Sequence, residues 1–135
     1  MRALLTLGAV GAVLSACALA LAAPKWSTSV RVTYWEDSAK TGSSVTWTLR
    51  CNPARGSLPR PAIACRRLAA GGFKLFAPLS PDIACTEIYG GPQRARVVGV
   101  VAGKQVWASF ARTNGCEIGR WNRISPWLLP PGGVT

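Results

Sequence analysis

The sequence predicts an α+β fold built on an antiparallel sheet, and three observations carry that prediction. Two early segments alternate apolar and polar residues, a proline-led helical run follows, and a second alternating pair meets at Ala102-Gly103. Strands, a helix and strands again is the order of an α+β domain. The chain has 135 residues. Once an apolar N-terminus is set aside, about 110 residues remain, room for one domain with a modest core.

Ser27 to Tyr34 places Val30, Val32 and Tyr34 on one face and Ser29, Arg31 and Thr33 on the other, the period of a half-buried strand. Ser38 to Ser43 is a polar turn around Thr41-Gly42. Ser44 to Cys51 is a second strand, with Val45, Trp47 and Leu49 on one face. Asn52-Pro53, Gly56, Pro59 and Pro61 mark a loop. Pro61 to Ala70 reads as a helix with proline in its first turn, stopping at Gly71-Gly72. Its inner face carries Cys65 and Leu68, while Arg66 and Arg67 point to water. Phe73 to Asp82 is loop-like. Arg94 to Val101 and Lys104 to Arg112 form the clearest hairpin, with Val106, Ala108 and Phe110 facing one way and Trp107 and Ser109 the other. The tryptophans are read as core or sheet surface, with Trp121 and Trp127 as candidates for a dimer or partner contact.

The N-terminus reads as a targeting segment. Met1-Arg2 precedes an apolar run to Ala23, and Ala20-Leu21-Ala22 has the form of a signal-peptidase site. This divides the chain into a signal peptide (1–22), an exported domain (23–126) and a flexible Pro/Gly-rich tail (127–135). The expected location is extracellular. Leu14-Ser15-Ala16-Cys17 offers a second route, a lipobox with Cys17 lipidated, giving a lipoprotein of the bacterial cell envelope. The membrane enters only through that route or through an uncleaved anchor, since about 20 apolar residues can span a bilayer.

Charge and residue types narrow the chemistry. Sixteen Lys and Arg against five Asp and Glu give a formal charge of +11, and the arginines are scattered along the chain. Such a balance favours non-specific attraction to anionic polymers and does not by itself argue for a specific nucleic acid. Histidine is absent, which removes Ser-His and Cys-His pairs and every His-containing metal site. Glu36, Asp37, Asp82, Glu87 and Glu117 are spread without pairing, so the chain is not read as an enzyme. No C-x-x-C occurs, and neither a metal nor a cofactor is expected. Leaving Cys17 in the leader, Cys51, Cys65, Cys85 and Cys116 make an even set suited to two disulfides, with three connectivities open.

Cys85-Thr86-Glu87-Ile88-Tyr89 is the candidate functional stretch. A half-cystine opens it, and Gly90-Gly91-Pro92 breaks regular structure directly after. A loop tied by a cysteine can be held extended and offered to a protease as a bond that is bound and only slowly lost.

With these pieces placed, the chain resembles the Streptomyces-type subtilisin inhibitor family. The matching pieces run from Val45 to Cys116: the strand entering Cys51-Asn52-Pro53, the helix holding Cys65 and Leu68, Cys85 to Tyr89 with Pro92, and Gly103-Lys104-Gln105-Val106 running to Asn114-Gly115-Cys116. The resemblance implies a five-stranded antiparallel sheet with one or two short helices on one face, Cys51–Cys65 and Cys85–Cys116 disulfides, and commonly a dimer through the sheet. It implies a secreted serine protease inhibitor with a Glu87–Ile88 scissile bond. Glu87 is then P1 and Ile88 P1′, flanked by Ala84, Cys85, Thr86 and Tyr89, with Asn114 bracing the loop from behind. The partner implied is an extracellular serine protease, subtilisin-like or, given an acidic P1, glutamyl-specific. Three departures stand out: Glu at P1, a small Ala84 at P4, and an exit one residue longer than the family's Tyr-x-Pro. A non-inhibitory cell-envelope interaction module on the same fold is the alternative.

Overall fold

A computed structural model describes residues 27–37 and 43–132. The stretch read as a signal peptide, with Cys17, the turn read around Thr41-Gly42 and the last residues of the tail lie outside them. Four strands form one antiparallel sheet in the order β2-β1-β3-β4: β1 (Ser29–Trp35), β2 (Ser44–Arg50), β3 (Arg94–Val101) and β4 (Lys104–Phe110). The β3–β4 turn has positive φ at both central residues, Ala102 (49°) and Gly103 (79°), the arrangement that matches the twist of paired strands.

Period-two alternation puts Val30, Val32 and Tyr34 of β1, Ala95 and Val97 of β3, and Val106, Ala108 and Phe110 of β4 into the core. On β2 the inward face fades toward the sheet edge: Leu49 is fully buried, Trp47 partly, and Val45 is 48 % exposed. Two helices cover this face. Helix α1 (Pro61–Gly71) inserts Ala64 and Leu68, and Cys65 joins Cys51 by a disulfide. Helix α2 (Gly115–Ile124) inserts Trp121 and Ile124.

Four findings refine the expectations. Among the described residues the sheet has four strands where the resemblance implied five. Beside β2, Arg55 makes a single bridge to Arg50, and Leu58 N–H donates to the Thr48 carbonyl at 3.1 Å. Gly56 at φ 129° and Pro59 keep that segment from extending into a ladder. Gly72–Phe76 is a 3₁₀ segment rather than loop, and it buries Phe76 edge-on to Phe110. From Gly115 the chain forms helix α2, across a stretch to which the sequence assigned no element. Finally, Trp127, Leu128 and Leu129, assigned to the tail from sequence, are buried in the core, and the Pro130 carbonyl accepts from Trp121 Nε1 at 2.9 Å. The tryptophans singled out for partner contact, Trp121 and Trp127, are interior residues.

Candidate functional site

Between the 3₁₀ segment and β3 the chain crosses the end of the domain without regular structure, and its middle is the most open part. Ala84, Thr86, Glu87, Ile88 and Tyr89 are exposed, Ile88 to 63 % and Tyr89 to 57 %. Cys85 is half-buried and bonded to Cys116. Both cystine pairings are those that the resemblance implied.

The platform beneath this loop is the start of α2. Asn114 takes the N-cap position in extended conformation, and its Oδ1 accepts from the Glu117 N–H at 3.0 Å. Cys116 is therefore in the first turn, held where the disulfide meets the loop. Gly115 N–H donates to the Thr86 carbonyl at 3.0 Å, fixing the residue just before Glu87. Gly115 also passes close to Thr86: a Cβ there would lie 2.0 Å from the Thr86 hydroxyl. Behind it, Glu117 pairs with Arg120 at 3.0 Å, and Arg120 donates to the Ser109 carbonyl at 3.1 Å, which ties the helix to β4.

The other end of the open span is held by Arg112. Gly90 N–H donates to the Arg112 carbonyl at 2.7 Å, and Arg112 Nε donates back to the Gly90 carbonyl at 3.1 Å. A side chain on Gly90 would lie 2.8 Å from Ile118 of α2, so the chain is pressed against the helix there. Arg112 is itself buried, its guanidinium 5.7 Å from the Trp121 ring centroid and close against Gly132. Its Nη1 is buried without a hydrogen-bond partner among the described residues. Nearby, Tyr34 donates to Glu36, and the Tyr34 hydroxyl is held well above its ordinary pKa, first by burial and then by the Glu36 carboxylate; Arg112 opposes that shift.

Glu87, Ile88 and Tyr89 are thus an exposed span between two backbone anchors, Thr86 and Gly90. The extra residue in the Gly-Gly exit does not leave the span untethered, because Gly90 is bonded through both its N–H and its carbonyl. The Asn114 oxygen is occupied in capping α2, where the resemblance implied a side chain bracing the loop. Sequence reasoning missed the anchoring roles of Gly115, Gly90 and Arg112. Asn-x-x-Glu is a helix-start signal that could have exposed the first; nothing in the sequence marks Arg112. Among the described residues no cluster of His, Cys, Asp or Glu could hold a metal ion.

The model of the subtilisin inhibitor-like family matches residues 27–114, and the chain belongs to that family. Among solved structures it is similar to Streptomyces caespitosus sermetstatin, crystallised in complex with Bacillus licheniformis subtilisin. Identity is 27 % and the TM-score 0.52, over 76 % of this chain and 97 % of that one. No curated protein matches the sequence.

Proposed function

We propose that this protein inhibits an extracellular serine protease by offering Glu87–Ile88 as a substrate-like bond. The observation that carries the reading is the anchoring of an exposed span at three points, with Thr86 held by Gly115, Gly90 by Arg112, and Cys85 by Cys116. Family membership places the chain among inhibitors rather than enzymes, and a structural relative was crystallised on a subtilisin.

In this reading Glu87 enters the specificity pocket as P1 and its carbonyl sits in the oxyanion hole. Ile88 is P1′, Thr86 P2, Cys85 P3 and Ala84 P4. Anchoring lowers the ordering entropy lost on binding, and after any cleavage it keeps the new ends in place so that they rejoin or leave slowly. The Asn114 amide braces the loop by donating to its carbonyls. An acidic P1 suits a pocket lined with basic groups. In an apolar pocket its desolvation opposes binding by about 2 kcal/mol or more. The target class is therefore glutamyl-specific before subtilisin-like. The protein meets it outside the cell, freed by cleavage after Ala22 or tethered through Cys17.

The test is a titration of a glutamyl endopeptidase, a subtilisin and trypsin with the pure protein. Stoichiometric inhibition, strongest for the first and abolished by Glu87→Pro, supports the reading. Failure to inhibit any of the three overturns it in favour of a non-inhibitory envelope module.

A further inference from the structure

The chain that follows α2 comes to rest on the residue that holds the far end of the Glu87 loop. The N–H groups of Leu128 and Leu129 both donate to the Ile124 carbonyl, at 2.8 and 3.1 Å, closing a turn after the helix. Trp127, Leu128 and Leu129 sink into the core. The Pro130 carbonyl then accepts from Trp121 Nε1 at 2.9 Å and from the Ser125 hydroxyl at 3.2 Å. Pro130 and Pro131 fix φ at consecutive positions, which sets the direction in which the chain leaves that anchor. It leads Gly132 onto Arg112, where a Cβ on Gly132 would overlap Arg112 Nε, Cζ and Nη1. The Arg112 guanidinium thus has the Gly132 backbone against it and the Trp121 ring centroid 5.7 Å away, with the Gly90 carbonyl on its Nε.

We infer that Pro130–Gly132 is a clasp for the reactive loop, and that Gly132 is a positioning residue for inhibition that acts through Arg112; this rests on the reading of Glu87–Ile88 as the inhibitory bond. An arginine ordinarily buries its stem and keeps its head in water, and fixing it in one rotamer costs entropy. Nothing at Nη1 offsets that cost, since this nitrogen is buried without a hydrogen-bond partner among the described residues. Arg112 nevertheless stays inside, 7 % exposed, with Gly132 as part of its cover. Shielded from water, its Nε bond to the Gly90 carbonyl is stronger than the same bond at a surface. Gly90 is two residues beyond Ile88, so a fixed Gly90 fixes the primed side of the bond offered to the protease. A side chain at position 132 meets the flexible end of Arg112 and not backbone. It displaces the guanidinium and leaves the fold in place.

The test is Gly132→Ala in the full chain, with Gly119→Ala as control, because a methyl group there meets nothing within 4 Å. One readout is the rate at which a glutamyl endopeptidase cuts the bound protein. The other is hydrogen exchange of Arg112 Nε–H by NMR, which needs no protease. Gly132→Ala is expected to raise the cleavage rate about tenfold and the exchange rate about tenfold or more. Its melting temperature should stay within about 2 °C of wild type. The control should change either rate less than about twofold. In an Arg112→Met background, Gly132→Ala should change cleavage less than about twofold, because both substitutions break one interaction. The inference is overturned if Gly132→Ala leaves Nε–H exchange at its wild-type rate, or leaves cleavage unchanged in a protein that inhibits. It is equally overturned if cleavage accelerates as much without Arg112 as with it. A wild-type protein that inhibits no protease overturns the function reading instead. Exchange then still decides the clasp: a rate raised by Gly132→Ala supports it, and equal rates overturn it.

Discussion

The Gly115 N–H donates to the Thr86 carbonyl at 3.0 Å, so the first residue of helix α2 and the residue preceding Glu87 are one structural unit. Capping of α2 by Asn114 fixes Gly115, and Gly115 fixes the loop. Gly115→Ala should leave helix stability unchanged or improved, since alanine is the better helix former. The new methyl group would crowd the Thr86 hydroxyl and turn that side chain, and inhibition should weaken about tenfold, or 1.4 kcal/mol. Adding Thr86→Ala should recover most of the loss. Inhibition constants for the single and double variants, beside their melting temperatures, check this.

The Cys85–Cys116 disulfide closes 31 residues, and chain-entropy reasoning gives it about 4 kcal/mol of stability. Cys85→Ser/Cys116→Ser should lose an amount of that order and turn the loop from inhibitor into substrate. Denaturant unfolding reads the first effect, and the rate of protein cleavage by the target protease reads the second.

Arg112 separates loop geometry from stability. Arg112→Met removes the Nε donor from the Gly90 carbonyl, an interaction with a charged group of about 1.5–3 kcal/mol, but also removes a buried nitrogen without a partner. Stability should change little while inhibition becomes temporary, with the protein cleaved over time. Following residual protease activity through a long incubation distinguishes this from a simple loss of affinity.

Tyr34 gives the domain an alkaline limit. Its folded-state pKa is raised above the ordinary value of 10.0, so the unfolded chain releases the phenolic proton first. The corresponding stability is fully present below about pH 10 and is lost as pH rises further. Denaturant midpoints across that range should fall for the wild type. They should fall less for Tyr34→Phe, which lacks the titrating group.

Most of the sheet was legible because one face is apolar in strict alternation: Val30, Val32 and Tyr34, then Val106, Ala108 and Phe110. The first helix was legible from Pro61 and the Gly71-Gly72 stop. Helix α2 was not, because Thr113-Asn114-Gly115 has turn composition and Gly115 and Gly119 weaken helical propensity. Its inner residue Trp121 is satisfied by Pro130, a pairing that no local pattern reveals. The same contact explains why a proline-rich end that reads as tail carries buried Trp127, Leu128 and Leu129. At the site, the exposed loop and its cysteine were visible as local sequence. Its anchors at Gly115 and Arg112 were not, since both join segments distant in sequence, Gly115 through its backbone and Arg112 through backbone and guanidinium.

The central claim is that one bond, between Glu87 and Ile88, is the one offered to the protease. The most direct measurement is to incubate the protein with a glutamyl endopeptidase, stop the mixture in acid, and determine the cleavage site by mass spectrometry after reduction. The account predicts a single slow cut, with the C-terminal fragment beginning at Ile88 and the two fragments joined before reduction by Cys85–Cys116. A cut at another position, or rapid degradation at many, would contradict it.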